Sequence, residues 1–160
     1  MSILKAVSDL SLALKKRQWK VVTAESCTGG GLAYWLTSLP GSSEWFDHGF
    51  ITYSNASKQD LLGVNAQTLE KFGAVSEQTA REMAEGALSK GAATLSIAVT
   101  GIAGPDGGSS QKPIGTIWFA WKLVSFETEV KKILLSGDRQ AIREQAILQI
   151  LQHLQTYLQK

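Results

Sequence analysis

Apolar residues recur along this chain with two periods, one typical of amphipathic helices and one typical of buried strands. Near the start, leucines and a valine from Leu4 to Leu14 recur at helical spacing, and the basic run Lys15-Lys-Arg17 follows them. This pattern predicts an opening helix. Residues 21–24, Val-Val-Thr-Ala, are rich in β-branched side chains and predict a short first strand, which the glycines at 29–31 end.

The alternation of helix and strand continues through the middle of the chain. Residues 32–39 have helical spacing before Pro40-Gly41, and residues 45–52 alternate loosely enough to form a second strand. Three further helices are predicted before residue 90: one capped by Ser54 or Asn55, a short one over residues 67–72, and a longer one capped by Ser76.

The remaining strands are predicted in the second half. Residues 95–100 form a compact apolar run of the kind buried in a central sheet, and it leads into a loop rich in Gly and Pro over residues 101–113. Two more strands, over residues 114–124 and 128–135, are separated by a short turn, and residues 141–158 predict a closing helix. Three strands alternate with helices and two form a hairpin, so we expect an α/β fold whose mixed sheet carries helices on both faces.

Length and composition indicate one globular domain over residues 1–160. A chain of 160 residues, 44% of them hydrophobic, is long enough for one core and too short for two ordinary domains. Lys and Arg total 16 against 14 for Asp and Glu, and they are scattered, so we expect no nucleic-acid partner. The sequence has no signal-like N-terminus and no run of about 18 apolar residues, so we expect a cytoplasmic protein without a membrane partner.

Cysteine and histidine usage excludes several kinds of site. Cys27 is the only cysteine, which rules out an internal disulfide and a thiolate-rich zinc site. His48 lies inside the second predicted strand and His153 on the last predicted helix, so neither has a spacing that suits a Ser-His-Asp triad or a metal. We therefore expect no metal and no cofactor. The tryptophans are dispersed without interleaved basic residues, and core packing accounts for them.

Polar loops follow the first three predicted strands, where open α/β sheets bind their ligands. After the first strand, Ser26 precedes Cys27, Thr28, Gly29 and Gly30 at a turn into a helix. A serine there is a candidate nucleophile, and backbone N–H groups of the new helix are candidate donors to an oxyanion. The alternative is that Ser26 or Thr28 merely caps the helix. Cys27 is a rival nucleophile, but adjacent residues leaving a strand point in different directions.

The second loop carries a candidate base. Tyr53 and Lys58 lie five residues apart across a predicted junction between strand and helix, so both can face one pocket. A lysine acts as a base when its pKa is depressed. The alternative is that both are ordinary surface residues.

The third loop and the start of the last helix are candidate anion-binding elements. Residues 100–108, Thr-Gly-Ile-Ala-Gly-Pro-Asp-Gly-Gly, are rich enough in glycine to cradle a phosphate. The loop leads into a strand and has neither dinucleotide-binding nor P-loop spacing, so we reject both of those folds. Arg139 and Arg143 can hold a phosphate or carboxylate, and surface pairing with Asp138 is the alternative.

An ordered set of motifs resembles the C-terminal domain of the competence/damage-inducible protein CinA. It runs through nearly the whole chain: Ala24-Glu-Ser-Cys-Thr-Gly-Gly30, Pro40-Gly-Ser-Ser43, Thr52-Tyr-Ser-Asn55, Leu61-Leu-Gly-Val64, Gly73-Ala-Val-Ser76, Thr100-Gly-Ile-Ala-Gly-Pro105, Lys112-Pro-Ile-Gly115 and Gly137-Asp-Arg139. The upstream domain of full-length CinA has no counterpart here, so we expect a standalone form. The resemblance implies a three-layer α/β/α fold, with a mixed, mostly parallel sheet of about five strands.

The resemblance also implies an activity. The CinA C-terminal domain family is similar in activity to nicotinamide-nucleotide amidohydrolases. These enzymes convert nicotinamide mononucleotide and water to nicotinic acid mononucleotide and ammonia in pyridine-nucleotide recycling. The resemblance assigns the nucleophile to Ser26 and the base and proton relay to Lys58 and Tyr53, without a metal. Further expected contacts to the small nucleotide substrate come from the turn after Ser26 and from the following residues: Asn55, Thr100, Gly101, Gly104 and Arg139.

Two other functions remain open on the sequence. One is a catalytically silent nucleotide-binding or regulatory protein linked to competence or damage responses, which would use the same pocket. The other is an esterase or amidase for unrelated small substrates. We also expect a homodimer.

Overall fold

The computed structural model describes residues 1–159 and confirms the predicted α/β class. Its strands are β1 (Val21–Glu25), β2 (Phe46–Ile51), β3 (Leu95–Gly101), β4 (Thr116–Leu123) and β5 (Glu129–Leu134). Its helices are α1 (Ile3–Arg17), α2 (Gly31–Leu36), α3 (Asn55–Leu62), α4 (Ala66–Phe72), α5 (Glu77–Ser89) and α6 (Arg139–Leu158), and a short 3-10 helix, Ser42–Glu44, precedes β2. No helix in this part of the chain is long and apolar enough to cross a bilayer.

The strands form one sheet in the order β2-β1-β3-β4-β5. β1 pairs in parallel with β2 and β3, whereas β4 runs antiparallel to both β3 and β5. Because β4 is antiparallel to both of its neighbours, β5 runs in the same direction as β1, β2 and β3, and β4 is the one strand that runs the opposite way. The predicted mixed, mostly parallel sheet is therefore confirmed.

Helices cover both faces of the sheet and complete the predicted three layers. Side chains of α1, α2 and α6 pack on one face and those of α3, α4 and α5 on the other. β3 illustrates the division, because Leu95, Ile97 and Val99 enter the first core and Ala98 enters the second. Small residues on the second face let α5 approach closely, and Ser96 Oγ donates to the Ala84 carbonyl oxygen at 2.7 Å.

Most differences from the predicted boundaries arise at turns and caps. α6 begins two residues before its predicted start, because the Asp138 carboxylate accepts from the Ala141 N–H at 2.8 Å and caps the helix. Ser54, rather than Asn55, caps α3 by accepting from the Ser57 N–H. The predicted Ser76 cap of α5 is confirmed.

Helix α3 is held against α5 by a close contact at Gly86. A Cβ atom at this position would lie 1.9 Å from the Leu62 carbonyl oxygen, so only glycine permits this approach. The contact sets the position of the C-terminal end of α3 relative to the sheet.

Substituting Gly86→Ala is expected to lower the free energy of unfolding by about 3 kcal/mol, because backbone must move to admit the methyl group. Gly63→Ala is the control, since a Cβ there meets nothing within 4 Å. Gly63 has φ +68°, so its left-handed backbone alone should cost about 1 kcal/mol. Urea denaturation measures both values, and equal losses would contradict the steric explanation.

Candidate active site

The ends of β1, β2 and β3 meet at one edge of the sheet. Glu25, the last residue of β1, lies opposite Ile51 of β2 and Val99 of β3. The pairing continues one step further, since the Ser26 N–H donates to the Val99 carbonyl at 3.0 Å and the Thr52 N–H donates to the Glu25 carbonyl at 2.8 Å. The three predicted polar loops therefore start side by side.

Lys58 reaches Ser26 from the first turn of α3. Its side chain is fully buried, with 0% of its surface exposed. The ammonium donates three hydrogen bonds: to Ser26 Oγ at 3.0 Å, to the Thr52 carbonyl at 2.7 Å and to the Tyr53 carbonyl at 3.1 Å. These three acceptors match the three N–H groups of a lysine ammonium.

Burial changes the proton affinity of Lys58. Desolvation lowers the pKa of its amine from 10.5 to about 8, because the charged form loses its water. Within residues 1–159, no carboxylate forms an ion pair with it. A neutral Lys58 keeps two N–H groups for the Thr52 and Tyr53 carbonyls, which turns the nitrogen lone pair toward the Ser26 hydroxyl. The pair is thus arranged for proton transfer.

Glu25 anchors the turn after Ser26 through its carboxylate. This fully buried carboxylate accepts from the Leu32 and Ala33 N–H groups at 2.8 and 3.0 Å and from Thr28 Oγ1 at 2.6 Å. It therefore binds the positive N-terminal end of α2. The prediction that the first N–H groups of this helix are free for an oxyanion is wrong, because Glu25 occupies them.

Arg143 also holds this turn, through two of its main-chain carbonyls. Its guanidinium, on α6, donates from Nε to the Cys27 carbonyl and from Nη2 to the Thr28 carbonyl, both at 3.1 Å. Asp138 caps α6 and takes part in none of the ion pairs among residues 1–159, so the suggested surface pairing of aspartate with arginine is wrong. Arg143 supports the main chain that follows the candidate nucleophile.

The thiol of Cys27 is unsuited to act as the nucleophile. Burial raises the pKa of this thiol from 9.0 to about 12, and the neighbouring Glu25 charge adds to the shift. The thiol stays protonated near neutral pH, and a protonated thiol is a poor nucleophile. Ser26, bonded directly to Lys58, is the better candidate.

A cavity of about 260 Å³ opens above the Ser26–Lys58 pair. Eight predicted site residues line it: Ser26, Cys27, Tyr53, Lys58, Thr100, Gly101, Gly104 and Arg139. Four more residues of the predicted glycine-rich loop also line it: Ile102, Ala103, Asp106 and Gly107. Sequence reasoning did not select the other two lining residues, Ala74 and Val75. The structure therefore brings most of the predicted site together in one cavity.

Comparison with known proteins places the chain in a family. Residues 4–158 match the model of the CinA C-terminal domain. The chain belongs to the CinA C-terminal domain family. The nicotinamide-nucleotide amidohydrolase PncC of Enterobacter agglomerans is 51% identical to it over 144 residues, which cover 90% of this chain and 88% of that protein. PncC of Escherichia coli K12 is 50% identical over 148 residues, covering 92% and 90%.

A solved structure of the same superfamily has the same fold. The competence damage-inducible protein A of Klebsiella pneumoniae MGH 78578 superposes with a TM-score of 0.96 at 37% identity, covering 99% of this chain and 98% of that one. The three-layer architecture expected for a CinA C-terminal domain is thereby confirmed.

Four predicted binding residues of this CinA domain lie outside the lining of the cavity: Thr28, Gly29, Gly30 and Asn55. Thr28 is fully buried and donates its hydroxyl to Glu25, so it supports the turn. The N-cap position of α2 is Gly30, and its first N–H groups bind the Glu25 carboxylate, so the suggestion that Ser26 or Thr28 caps this helix is also wrong.

Tyr53 and Arg139 form a bridge across the mouth of the cavity. Arg139 donates from Nη2 to Tyr53 Oη at 2.9 Å and from Nη1 to the Gly104 carbonyl at 2.8 Å. The Tyr53 side chain is 59% exposed, whereas Lys58 contacts Ser26 directly. The geometry therefore supports the direct proton path over the predicted relay through the tyrosine hydroxyl.

Neither histidine of the CinA domain enters this cavity. His48 contacts Asp47 on β2, and His153 packs against Trp121. Among residues 1–159, no cluster of three His, Cys, Asp or Glu side chains is placed to hold a metal ion. Ser26 and Lys58, whose side chains are in direct contact at the base of the cavity, are therefore the candidate nucleophile and base.

Substituting Glu25→Gln is expected to lower the free energy of unfolding by about 3 kcal/mol. The glutamine amide has one oxygen where the carboxylate has two, so one buried N–H of α2 loses its acceptor. Glu44→Gln is the matched control, since Glu44 forms an exposed ion pair with Lys15 at 3.3 Å. That change should cost less than about 1 kcal/mol. Urea denaturation tests both variants, and a loss at Glu25 no larger than at Glu44 would contradict its role as the anchor of α2.

Proposed function

We propose that this chain hydrolyses the carboxamide of nicotinamide mononucleotide to give nicotinic acid mononucleotide and ammonia. The contact that carries the proposal is the 3.0 Å hydrogen bond between Lys58 Nζ and Ser26 Oγ at the base of the cavity. The PncC relatives, which are 50–51% identical over most of both chains, are named nicotinamide-nucleotide amidohydrolases, and this name supports the proposed substrate.

The first step forms an ester between Ser26 and the substrate. Neutral Lys58 accepts the Ser26 proton as Oγ attacks the carboxamide carbon, and a tetrahedral intermediate forms. Lys58 then gives this proton to the departing nitrogen, which leaves as ammonia. The acid half of the substrate stays bound to Ser26 as an ester.

The second step consumes one water molecule. Lys58, neutral again, takes a proton from water as the water oxygen attacks the ester carbon, and the proton passes to Ser26 Oγ as the bond to carbon breaks. The products are the free carboxylic acid and the original serine.

The oxyanion of each tetrahedral intermediate needs hydrogen-bond donors. On the nucleophile turn, the Gly29 and Gly31 N–H groups donate to the Ser26 and Thr28 carbonyls, and Glu25 takes those of Leu32 and Ala33. Cys27 lines the cavity, and within residues 1–159 its N–H donates to no other residue. We assign the principal oxyanion donor to Cys27 N–H, the amide directly after the nucleophile.

Thr100 is assigned to the leaving nitrogen. Its hydroxyl donates to the Ala74 carbonyl at 2.8 Å, so the hydroxyl oxygen can still act as an acceptor, and both residues line the cavity. An acceptor suits the NH₂ of a carboxamide and disfavours a second oxygen in that place. This placement favours amide over acid in the site.

The proposal extends to the single domain over residues 1–160, to a cytoplasmic location and to a homodimer. The whole site of Ser26, Lys58 and Arg139 lies within one chain. Catalysis as proposed therefore requires no residue from a second copy.

Purified protein is expected to release ammonia from nicotinamide mononucleotide with chelator present. Ser26→Ala should lower kcat at least about 1,000-fold, because removal of a nucleophile disables the whole acyl-transfer mechanism. Ser43→Ala, at an exposed serine away from the cavity, is the control and should retain full activity. Full activity in a folded Ser26→Ala protein would refute the mechanism, and an inert wild type that still binds the nucleotide would favour the silent binding protein.

The rate should depend on pH through Lys58. Its pKa of about 8 means that the neutral, proton-accepting form is the minor one below pH 8. We therefore expect kcat/KM to rise about tenfold per pH unit up to that pKa and then level off. Steady-state kinetics between pH 6 and 10 measure the profile. A rate that falls as pH rises through 8 would exclude neutral Lys58 as the base.

A further inference from the structure

The cavity contains one carboxylate that the proposed chemistry does not use. Asp106 lines it, on the exposed part of the loop after β3. Within residues 1–159, its side chain takes part in none of the hydrogen bonds or ion pairs, and Arg139, which lines the same cavity, is bonded instead to Gly104 and Tyr53. An unpaired acceptor in a binding cavity is free to bind a ligand.

A gradient of burial orders the cavity from base to mouth. Lys58 is fully buried and Ser26 is 8% exposed, whereas Asp106 and Arg139 are exposed. The carboxamide must reach Ser26 at the base. Parts of the substrate more distant from the carboxamide must therefore lie nearer the mouth, where Asp106 is.

The chemistry of the mouth fits a ribose. In a nicotinamide nucleotide the sugar is attached to the ring, and its neighbouring 2′ and 3′ hydroxyls are donors that one carboxylate can accept together. Carboxylates bind ribose hydroxyls in this way in dinucleotide-binding folds. A phosphate, in contrast, is repelled by a carboxylate and attracted by a guanidinium.

We propose that Asp106 binds the ribose hydroxyls of the substrate and so selects ribosylated carboxamides over carboxamides that lack the sugar. This inference rests on the proposed function and adds a specificity-determining residue to it. Arg139, which lines the same cavity and donates to the Gly104 carbonyl, is left for the phosphate.

The test measures binding in proteins that cannot turn the ligand over. Ser26→Ala and the double variant Ser26→Ala, Asp106→Asn are titrated by calorimetry with nicotinamide mononucleotide, nicotinamide riboside and 1-methylnicotinamide. The last ligand keeps the cationic ring and lacks the sugar. Asp106→Asn should lower the affinity for the mononucleotide and for the riboside by about tenfold each, as the loss of a charged hydrogen bond does. It should lower the affinity for 1-methylnicotinamide by less than about twofold.

Glu127→Gln, introduced into the same Ser26→Ala protein, is the matched control. It removes one exposed carboxylate from the turn between β4 and β5, outside the cavity, and should leave all three affinities unchanged. Thermal unfolding checks that the variants fold. Unchanged binding of the riboside, or equal weakening of all three ligands, overturns the inference, as does failure of the riboside to bind Ser26→Ala at all. Ammonia release by wild-type protein tests the proposed function separately.

Discussion

Burial of the Lys58 amine is the constraint on which the site depends. A cation without water or an opposing charge is costly, and here three oxygen atoms replace its hydration. Two of them are main-chain carbonyls at the junction of β2 and α3, so the strand end and the helix start must keep their relative positions. The far end of α3 is set by its contact with Gly86 of α5. Packing of α3 against α5, on the face of the sheet that carries the second core, thus fixes the position of the base.

The nucleophile is positioned by different elements on the other face. Glu25 binds the start of α2, and Arg143 reaches the Cys27 carbonyl from a helix 116 residues later in the chain. The turn that carries Ser26 is therefore held by local sequence and by the C-terminal helix together. Neither support touches the cavity's reacting atoms, and both work by fixing main chain. Because α3 and α6 lie on opposite faces, the sheet edge is where nucleophile and base meet.

Much of this arrangement follows from local sequence patterns, and the rest depends on tertiary contacts. Strand periodicity located β1, β2 and β3, and the rule for open sheets placed their three loops together. The spacing of Arg139 and Arg143 also puts them on one helical face, although not against any particular partner. Lys58 is different, because a lysine in a first helical turn looks the same in sequence whether exposed or buried. Its burial is decided by the parallel register and by α5. Glu25 left a signal, since a carboxylate ending an apolar strand just before a helix is typical of a buried charge bound to a helix N-terminus.

Glu25 also influences which of two adjacent residues can act as the nucleophile. The N-terminus of a helix normally favours a thiolate, which would activate Cys27. Here the carboxylate of Glu25 already occupies the first N–H groups of α2, so the positive end of the helix is neutralised. Its negative charge opposes a second anion nearby, and burial acts in the same direction on the pKa of Cys27. Ser26 needs no stable anion, because Lys58 takes its proton only as the new bond forms. The same buried carboxylate that anchors the turn therefore disfavours the thiol and leaves the hydroxyl as the reactive group.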